Sequence, residues 1–201
     1  MGQYYIPVLR RKTSNRHYKD TLFDAHKFDN GLKLMEHSYI GNNFVNEVYF
    51  HLLHNPAKVY WLGDYSASGD AKLNIRTIKK LKTLFYDHKS FIVPFGSPEL
   101  GQDFCIKFPY ILNHTKKEYI DVREMRSSMD KIFDYTIHPL PLLTATSNGR
   151  GAGDYPESYP DYENIGAWAG DELEVTDNSA ETEGYTRKIV NFISGIEDFP
   201  F

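Results

Sequence analysis

The amino-acid sequence predicts one α+β domain over residues 1–201, with a mostly antiparallel sheet and two main helices. Short runs of aromatic and β-branched residues recur between polar turns, which is typical of strands. Two longer segments repeat apolar residues at helical spacing. The hydrophobic fraction of 41% is enough to form a core, and no linker clearly divides the chain. Residues 170–201 are a candidate C-terminal extension packed on this domain.

The first 40 residues predict two strands and a loop. Residues 4–9 are aromatic and β-branched, and Pro7 among them favours an edge strand or a strand entering the sheet, because proline has no N–H to donate. The polar residues 11–20 predict a loop. Residues 32–35 predict a second short strand.

The two predicted helices come next along the chain. Residues 42–53 repeat apolar side chains every three or four positions, with Asn42 as the predicted cap and Asn55-Pro56 as the stop. Residues 71–88 combine an apolar stripe with a lysine-rich face. Further strands are predicted at residues 59–62, 91–95, 104–110, 118–122, 173–175 and 187–193, with a hairpin turn at 113–117.

Composition and charge exclude several function classes. The net charge of −4 predicts no general affinity for DNA or RNA, which proteins bind with an excess of basic residues. Basic residues between Arg10 and Lys19 form either a solvated loop or a patch for phosphate or an acidic partner. The single cysteine, Cys105, excludes an intrachain disulfide and is predicted to be core. With no secretory signal, membrane-length apolar run or myristoylation pattern, a cytoplasmic protein is predicted.

The pattern W-x-G-D occurs at residues 61–64 and 168–171, and Gly153-Asp154 adds a third Gly-Asp pair. Each pair predicts a tight turn after a strand, with the glycine at positive φ and the aspartate capping the turn. As isolated turns these have only a structural role. If the turns instead meet at one end of the sheet, Asp64 and Asp154 point carboxylates into a shared cleft.

Residues 138–155 read H-P-L-P-L-L-T-A-T-S-N-G-R-G-A-G-D-Y, an apolar run followed by a glycine-rich segment. Successive backbone N–H groups in such a segment can converge on an anion, and an arginine adds a bidentate donor. The spacing is neither that of a P-loop nor that of a dinucleotide-binding fingerprint, and an ordinary glycine-rich turn is the alternative. The candidate ligand-binding residues here are Asn148, Gly149, Arg150, Gly151 and Gly153.

Histidine and asparagine residues supply further candidates. His138 precedes a proline, which favours an extended conformation, and it is a candidate general base, metal ligand or satisfied polar residue at a strand end. The start of the first predicted helix has free N–H groups that favour anions. His37, Asn42 and Asn43 there are either ligand-binding residues or ordinary capping residues.

Two patterns resemble metal sites but are incomplete. Residues 64–70 place oxygen donors at alternate positions, as a calcium loop does, but Ile75 stands where an EF-hand needs a bidentate Glu. His51 and His54 lie one helical turn apart, with no third ligand evident in the sequence. These two patterns therefore predict no metal site, and the sequence identifies no cofactor.

Four blocks of the chain resemble a family of uncharacterised proteins from bacteria and their phages. They are M-G-Q-Y-Y at residues 1–5, L-M-E-H-S-Y-I-G-N-N-F-V-N at 34–46, W-L-G-D-Y at 61–65 and the segment 138–155. The resemblance implies a bacterial or phage setting, in which small proteins are often accessory or counter-defence factors. It implies no activity.

The first functional hypothesis is a site for a small phosphate-bearing ligand such as a nucleotide, where the first helix start, the Asp64 turn and the glycine-rich segment meet. Arg150 and backbone amides are predicted to bind phosphate. His138 with Asp64 or Asp154 would supply acid–base chemistry if a reaction occurs. The residues predicted to contact the rest of the ligand are His37, Asn42, Asn43 and Tyr65.

Two other hypotheses use other features. The first is a counter-defence inhibitor that binds a protein partner through tyrosines and acidic residues at positions 154–163, since tyrosine is favoured at interfaces. The second is a metal-dependent nuclease or hydrolase in which Asp64, Asp154 and His138 hold a divalent ion.

Overall fold

A computed structural model describes residues 3–14, 17–64, 66, 83, 100–101, 103–127, 136–146, 155, 159 and 161–192. These residues form one eight-stranded, mostly antiparallel sheet and five α-helices, which confirms the α+β class. The strands are β1 (Tyr5–Ser14), β2 (His17–Leu22), β3 (Ala57–Gly63), β4 (Tyr110–Asn113), β5 (Glu118–Asp121), β6 (Ala145–Thr146), β7 (Glu172–Thr176) and β8 (Thr186–Arg187). The helices are α1 (Leu34–His37), α2 (Asn43–Phe50), α3 (Phe104–Lys107), α4 (Val122–Ser127) and α5 (Pro139–Thr144).

The strand order is β2-β1-β3-β7-β4-β5-β8, and β6 pairs with β3. Strand β7 pairs with the first two residues of β3, while β6 runs parallel to Trp61 and Leu62 near its end. One edge of β3 is therefore shared by two strands that come from the second half of the chain. Residues 172–176 are part of the sheet, because β7 also pairs along its length with β4.

The predicted first helix is confirmed as α2. The Asn42 side chain caps it by accepting hydrogen bonds from the N–H groups of Phe44 and Val45, at 2.9 and 3.2 Å. The apolar face of α2 is fully buried in the core. The predicted helix at residues 71–88, apart from the helical Thr83, lies outside the described residues, as does the predicted strand at 91–95.

Two predictions in the first 40 residues are wrong. Residues 11–20 are not a loop, because β1 continues to Ser14 and forms an antiparallel hairpin with the outermost strand, β2. An edge strand can be polar on both faces, so its sequence resembles a loop. Residues 32–35 are not a strand, since α1 begins at Leu34. The Glu36 carboxylate accepts a hydrogen bond from the backbone N–H of Lys33 at 2.9 Å and so stabilises the first turn.

Two later strand predictions are also wrong in their extent. Within residues 104–110 the chain forms α3 and only then enters β4 at Tyr110, because short apolar runs fit a buried helix as well as a strand. Among the described residues 187–192 only Arg187 belongs to a strand. The strands at 59–62, 118–122 and 173–175 and the turn at 113–117 are confirmed. No helix among the described residues is long and apolar enough to cross a membrane.

Candidate functional site

The candidate site lies where β3 and β6 end side by side. Trp61 pairs with Ala145 and Leu62 pairs with Thr146, and both strands run in the same direction. The W-L-G-D block thus ends beside the last described residue before the glycine-rich segment. Ligands of open sheets commonly bind at the carboxyl ends of parallel strands, where chain segments diverge from the sheet.

Hydroxyl groups connect the two strand ends. The Thr146 Oγ1 atom accepts a hydrogen bond from the Gly63 N–H at 3.0 Å, and the Ser66 hydroxyl donates to the Thr146 carbonyl oxygen at 3.1 Å. The two hydroxyl groups also contact each other. Both side chains are buried. The ends of β3 and β6 are therefore held together by side chains as well as by strand pairing.

The Gln3 amide lies directly over Gly63 at this edge. A Cβ atom on Gly63 would be 1.9 Å from Gln3 Nε2 and 2.9 Å from the Thr146 carbonyl oxygen, so only glycine fits here. Gln3 Oε1 accepts a hydrogen bond from the Tyr5 hydroxyl at 3.0 Å. Gln3 Nε2 is buried and has no hydrogen-bond partner among the described residues. An amide donor is thus available at this edge.

Asp64 holds the end of β3 to the start of the chain. Its backbone N–H donates to the Tyr4 carbonyl oxygen at 2.9 Å, and its Oδ1 accepts from the Tyr4 N–H at 3.2 Å. Gly63 is not at positive φ, so that prediction is wrong, whereas Gly170 is, with φ of 80°. The second W-x-G-D block precedes β7 rather than following a strand, and Asp171 lies beside Val59. The turns of Asp64 and Asp171 therefore lie at different positions along β3.

His37 is a buried, neutral histidine with both ring nitrogens engaged. Its Nε2 accepts a hydrogen bond from the Trp61 indole N–H at 2.8 Å, and its Nδ1 lies 3.0 Å from the Gly31 carbonyl oxygen. Burial lowers the pKa of His37 to about 4, although the Gly31 contact opposes the shift. These contacts position α1 against β3. A ligand contact by His37 stays a prediction.

His138 caps α5 and is also buried. Its Nδ1 accepts from the Leu140 N–H at 3.2 Å, which places the ring proton on Nε2. Burial lowers the pKa of His138 to about 3, so the ring is neutral near pH 7. Nε2 has no hydrogen-bond partner among the described residues. In this arrangement His138 offers a donor rather than a general base, and no hydrogen bond joins it to Asp64 in the described part of the chain.

The segment from α1 to α2 contacts His138 through its backbone. The His138 N–H donates to the Ser38 carbonyl oxygen at 3.1 Å, and Tyr39 forms a bridge with Ile137. Asn42 is buried as the cap of α2, and its Nδ2 donates to Asn30 Oδ1 at 2.7 Å. Asn43, one residue later, is exposed.

The fold brings His37 and His138 to neighbouring segments and places Asp64 separately, at the end of β3. Sequence analysis missed Gln3, Ser66 and Thr146, which carry no local motif and meet only through strand pairing. Seven of the predicted site residues lie outside the described part of the chain, so their roles stay predictions. They are Tyr65, Asn148, Gly149, Arg150, Gly151, Gly153 and Asp154.

Comparison with protein-family models, with curated proteins and with solved structures found no match for this chain.

Proposed function

We propose that this protein binds a small polar molecule, a nucleotide or another phosphate-bearing compound, at the edge where β3 and β6 end. The observation that supports this most is the parallel pairing of Leu62 with Thr146. It brings the carboxyl end of the W-L-G-D block next to the chain that leads into the glycine-rich segment. Backbone N–H groups and polar side chains at such an edge can face a ligand outside the sheet.

Gln3 gives the proposed site a buried donor. Its Nε2 atom has no partner among the described residues, and a buried amide without a partner is costly in folded proteins. A phosphate or ribose oxygen is an acceptor that fits this group. The neighbouring Thr146 and Ser66 hydroxyls bond to each other and to backbone, so we assign them to hold the edge rather than the ligand.

The glycine-rich segment supplies the charge in this proposal. Arg150 would neutralise the phosphate through a bidentate hydrogen bond, and Gly149, Gly151 and Gly153 would allow the backbone to approach it closely. His138 is not assigned to the chemistry, because its Nδ1 caps α5 and its pKa is lowered to about 3 by burial. We therefore propose that the site binds its ligand, and we assign no reaction to it.

Isothermal titration calorimetry with defined probes tests this function. The probes are inorganic phosphate, AMP and ATP, with adenosine as the probe that lacks phosphate. Arg150→Ala should weaken AMP or ATP binding by roughly 10- to 100-fold, since a hydrogen bond to a charged group contributes about 1.5–3 kcal/mol. Gln3→Ala should weaken it less.

Lys107→Ala is the matched control, because it removes an exposed cation at the end of α3. It should bind as the wild type does. Equal weakening by Lys107→Ala and Arg150→Ala would indicate general charge attraction instead of a site. Absence of binding for all three phosphate probes would contradict the proposal.

The protein-interaction hypothesis loses part of its proposed surface. Tyr155 and Tyr159 are buried, with ring centroids 4.5 Å apart, so they pack in the core. We therefore favour the small-ligand proposal over binding through these tyrosines. The proposed setting, from the four sequence blocks alone, is the cytoplasm of a bacterium, as a host or phage accessory protein.

A further inference from the structure

Histidine and glutamate side chains from distant parts of the sequence meet at the other end of β3. Among the described residues, His54, Glu174 and Glu181 place one potential ligand atom each within 4.8 Å of the other two. His54 lies just before β3, whereas the candidate ligand site lies at its far end. Seven residues of strand separate the two regions by about 20 Å, at about 3.3 Å per residue.

Backbone pairing holds His54 next to Glu174. The His54 N–H donates to the Val175 carbonyl oxygen, and the Val175 N–H donates to the Leu52 carbonyl oxygen, both at 3.0 Å. His54 has a φ of 48°, a conformation that non-glycine residues rarely adopt. The two backbone hydrogen bonds fix His54 in this conformation and hold it beside Val175, the residue that follows Glu174.

A chain of hydrogen bonds orients the Glu174 carboxylate. His114 Nε2 lies 2.8 Å from Glu174 Oε2, and His114 Nδ1 lies 2.7 Å from the Tyr185 hydroxyl. Metal ligands in proteins are commonly held in this way by a second layer of hydrogen bonds. The chain engages only Oε2, which leaves Oε1 for another contact.

Glu181 comes from the short 3₁₀ helix Ser179–Thr182. Asn178 caps this helix through the Ala180 N–H at 3.1 Å, and its Nδ2 donates to Glu181 Oε1 at 3.3 Å. A further carboxylate is close, since Asp177 Oδ1 lies 3.7 Å from His54 Nε2. Each ligand thus has its own positioning contact within the fold.

We propose that His54, Glu174 and Glu181 bind a first-row divalent metal ion of the Zn²⁺ class. One imidazole and two carboxylates form a donor set that Zn²⁺ and its neighbours accept, whereas Ca²⁺ and Mg²⁺ prefer oxygen ligands throughout. Two carboxylates this close repel each other, and a divalent cation between them reverses that repulsion. Three protein ligands leave a position for water or for Asp177.

Calorimetric titration of the full-length, tag-free, EDTA-treated protein with Zn²⁺ tests this site. One ion should bind per chain. Glu181→Gln should weaken Zn²⁺ binding at least tenfold, while the matched control Glu183→Gln, two residues away and exposed, should bind as the wild type does. His54→Asn should also weaken binding, and it keeps a residue type that tolerates positive φ.

Co²⁺ supplies a second readout, because its visible absorption reports the ligand set directly. The Co²⁺ spectrum of the wild-type protein should change on His54→Asn and persist in Glu183→Gln. Three outcomes would overturn the site: no Zn²⁺ binding by the wild type, wild-type affinity in Glu181→Gln, or equal weakening by Glu183→Gln. Binding of Ca²⁺ as tight as that of Zn²⁺ would overturn the assigned metal class.

Discussion

Trp61 donates its indole N–H to His37 Nε2 over 2.8 Å, and both side chains are fully buried. This hydrogen bond joins α1 to β3, at the residue that also pairs with β6. It fixes the His37 proton on Nδ1, where it faces the Gly31 carbonyl oxygen. Two segments of the candidate site region are thus connected through one hydrogen bond in the core.

The first prediction compares the two tryptophans of the chain. Trp61→Phe leaves His37 Nε2 buried without a donor. Trp168→Phe instead removes the N–H that donates to Glu118 at 2.7 Å, and this carboxylate is only partly buried, so water can replace the donor. Both changes lose similar buried area, so Trp61→Phe should lower the free energy of unfolding by about 1–2 kcal/mol more than Trp168→Phe does. Urea denaturation measures this difference, and equal losses would contradict it.

The second prediction concerns the pH dependence of stability. His37 and His138 have folded-state pKa values of about 4 and about 3, both below the value of about 6.5 expected in the unfolded chain. Below pH 6.5 the unfolded state therefore binds more protons. The stability that the neutral rings provide is fully present above pH 6.5 and decreases as the pH falls towards 4. Each ring should contribute a slope of up to about 1.4 kcal/mol per pH unit.

His138→Asn isolates one of these two contributions. Asparagine keeps an acceptor for the Leu140 N–H but does not titrate. The slope of unfolding free energy between pH 6 and 4, from urea denaturation, should decrease by up to about 1.4 kcal/mol per pH unit relative to the wild type. An unchanged slope would mean that His138 is not held neutral by burial.

The third prediction tests how closely the chain packs at the carboxyl end of β3. Gly63→Ala should cost about 1–3 kcal/mol of stability, because its Cβ would meet Gln3 and the Thr146 carbonyl oxygen. Gly101→Ala is the matched control, since a Cβ there has no neighbour within 4 Å. Combining Gly63→Ala with Gln3→Ala should restore only part of the loss, because the Thr146 backbone remains. Thermal denaturation of these three variants and the wild type decides this, and equal stability of the two single glycine variants would contradict it.

Sequence patterns predicted those helices and hairpins that are marked by residues close together in the chain. Apolar spacing, the Asn42 cap and the Asn55-Pro56 stop predicted α2, and a polar turn predicted the β4–β5 hairpin. The four-residue helices α1 and α3 were predicted as strands, because four residues are too few to show helical periodicity. The edge strand β2 was predicted as a loop, since no alternation of apolar residues marks it.

The candidate site depended on contacts that no local pattern contains. Gly63 and Thr146 are 83 positions apart, and their contact follows from the parallel pairing of β3 with β6. The sequence showed His51 and His54 one helical turn apart, but it predicted no metal site there because no third ligand was evident. The residues that lie close to His54 in the fold, Glu174 and Glu181, come from β7 and the 3₁₀ helix after it, which join β3 only through sheet order. The residue types were visible in the sequence, but the long-range strand pairing that brings these residues together was not.

The fourth prediction separates two neighbouring asparagines for which the sequence left both a ligand-binding and a capping role open. Asn42 accepts hydrogen bonds from the N–H groups of Phe44 and Val45 and donates to Asn30, whereas Asn43 is exposed. Asn42→Ala should therefore lower the free energy of unfolding by about 1–2 kcal/mol, because α2 loses its cap and Asn30 loses a partner. Asn43→Ala should change it by less than about 0.5 kcal/mol, as most surface substitutions do. Urea denaturation of both variants, combined with AMP and ATP titrations, distinguishes the capping role from the ligand role. Weaker nucleotide binding in a stable Asn43→Ala variant would assign Asn43 to the ligand, whereas a loss confined to Asn42→Ala stability would assign this pair to the helix alone.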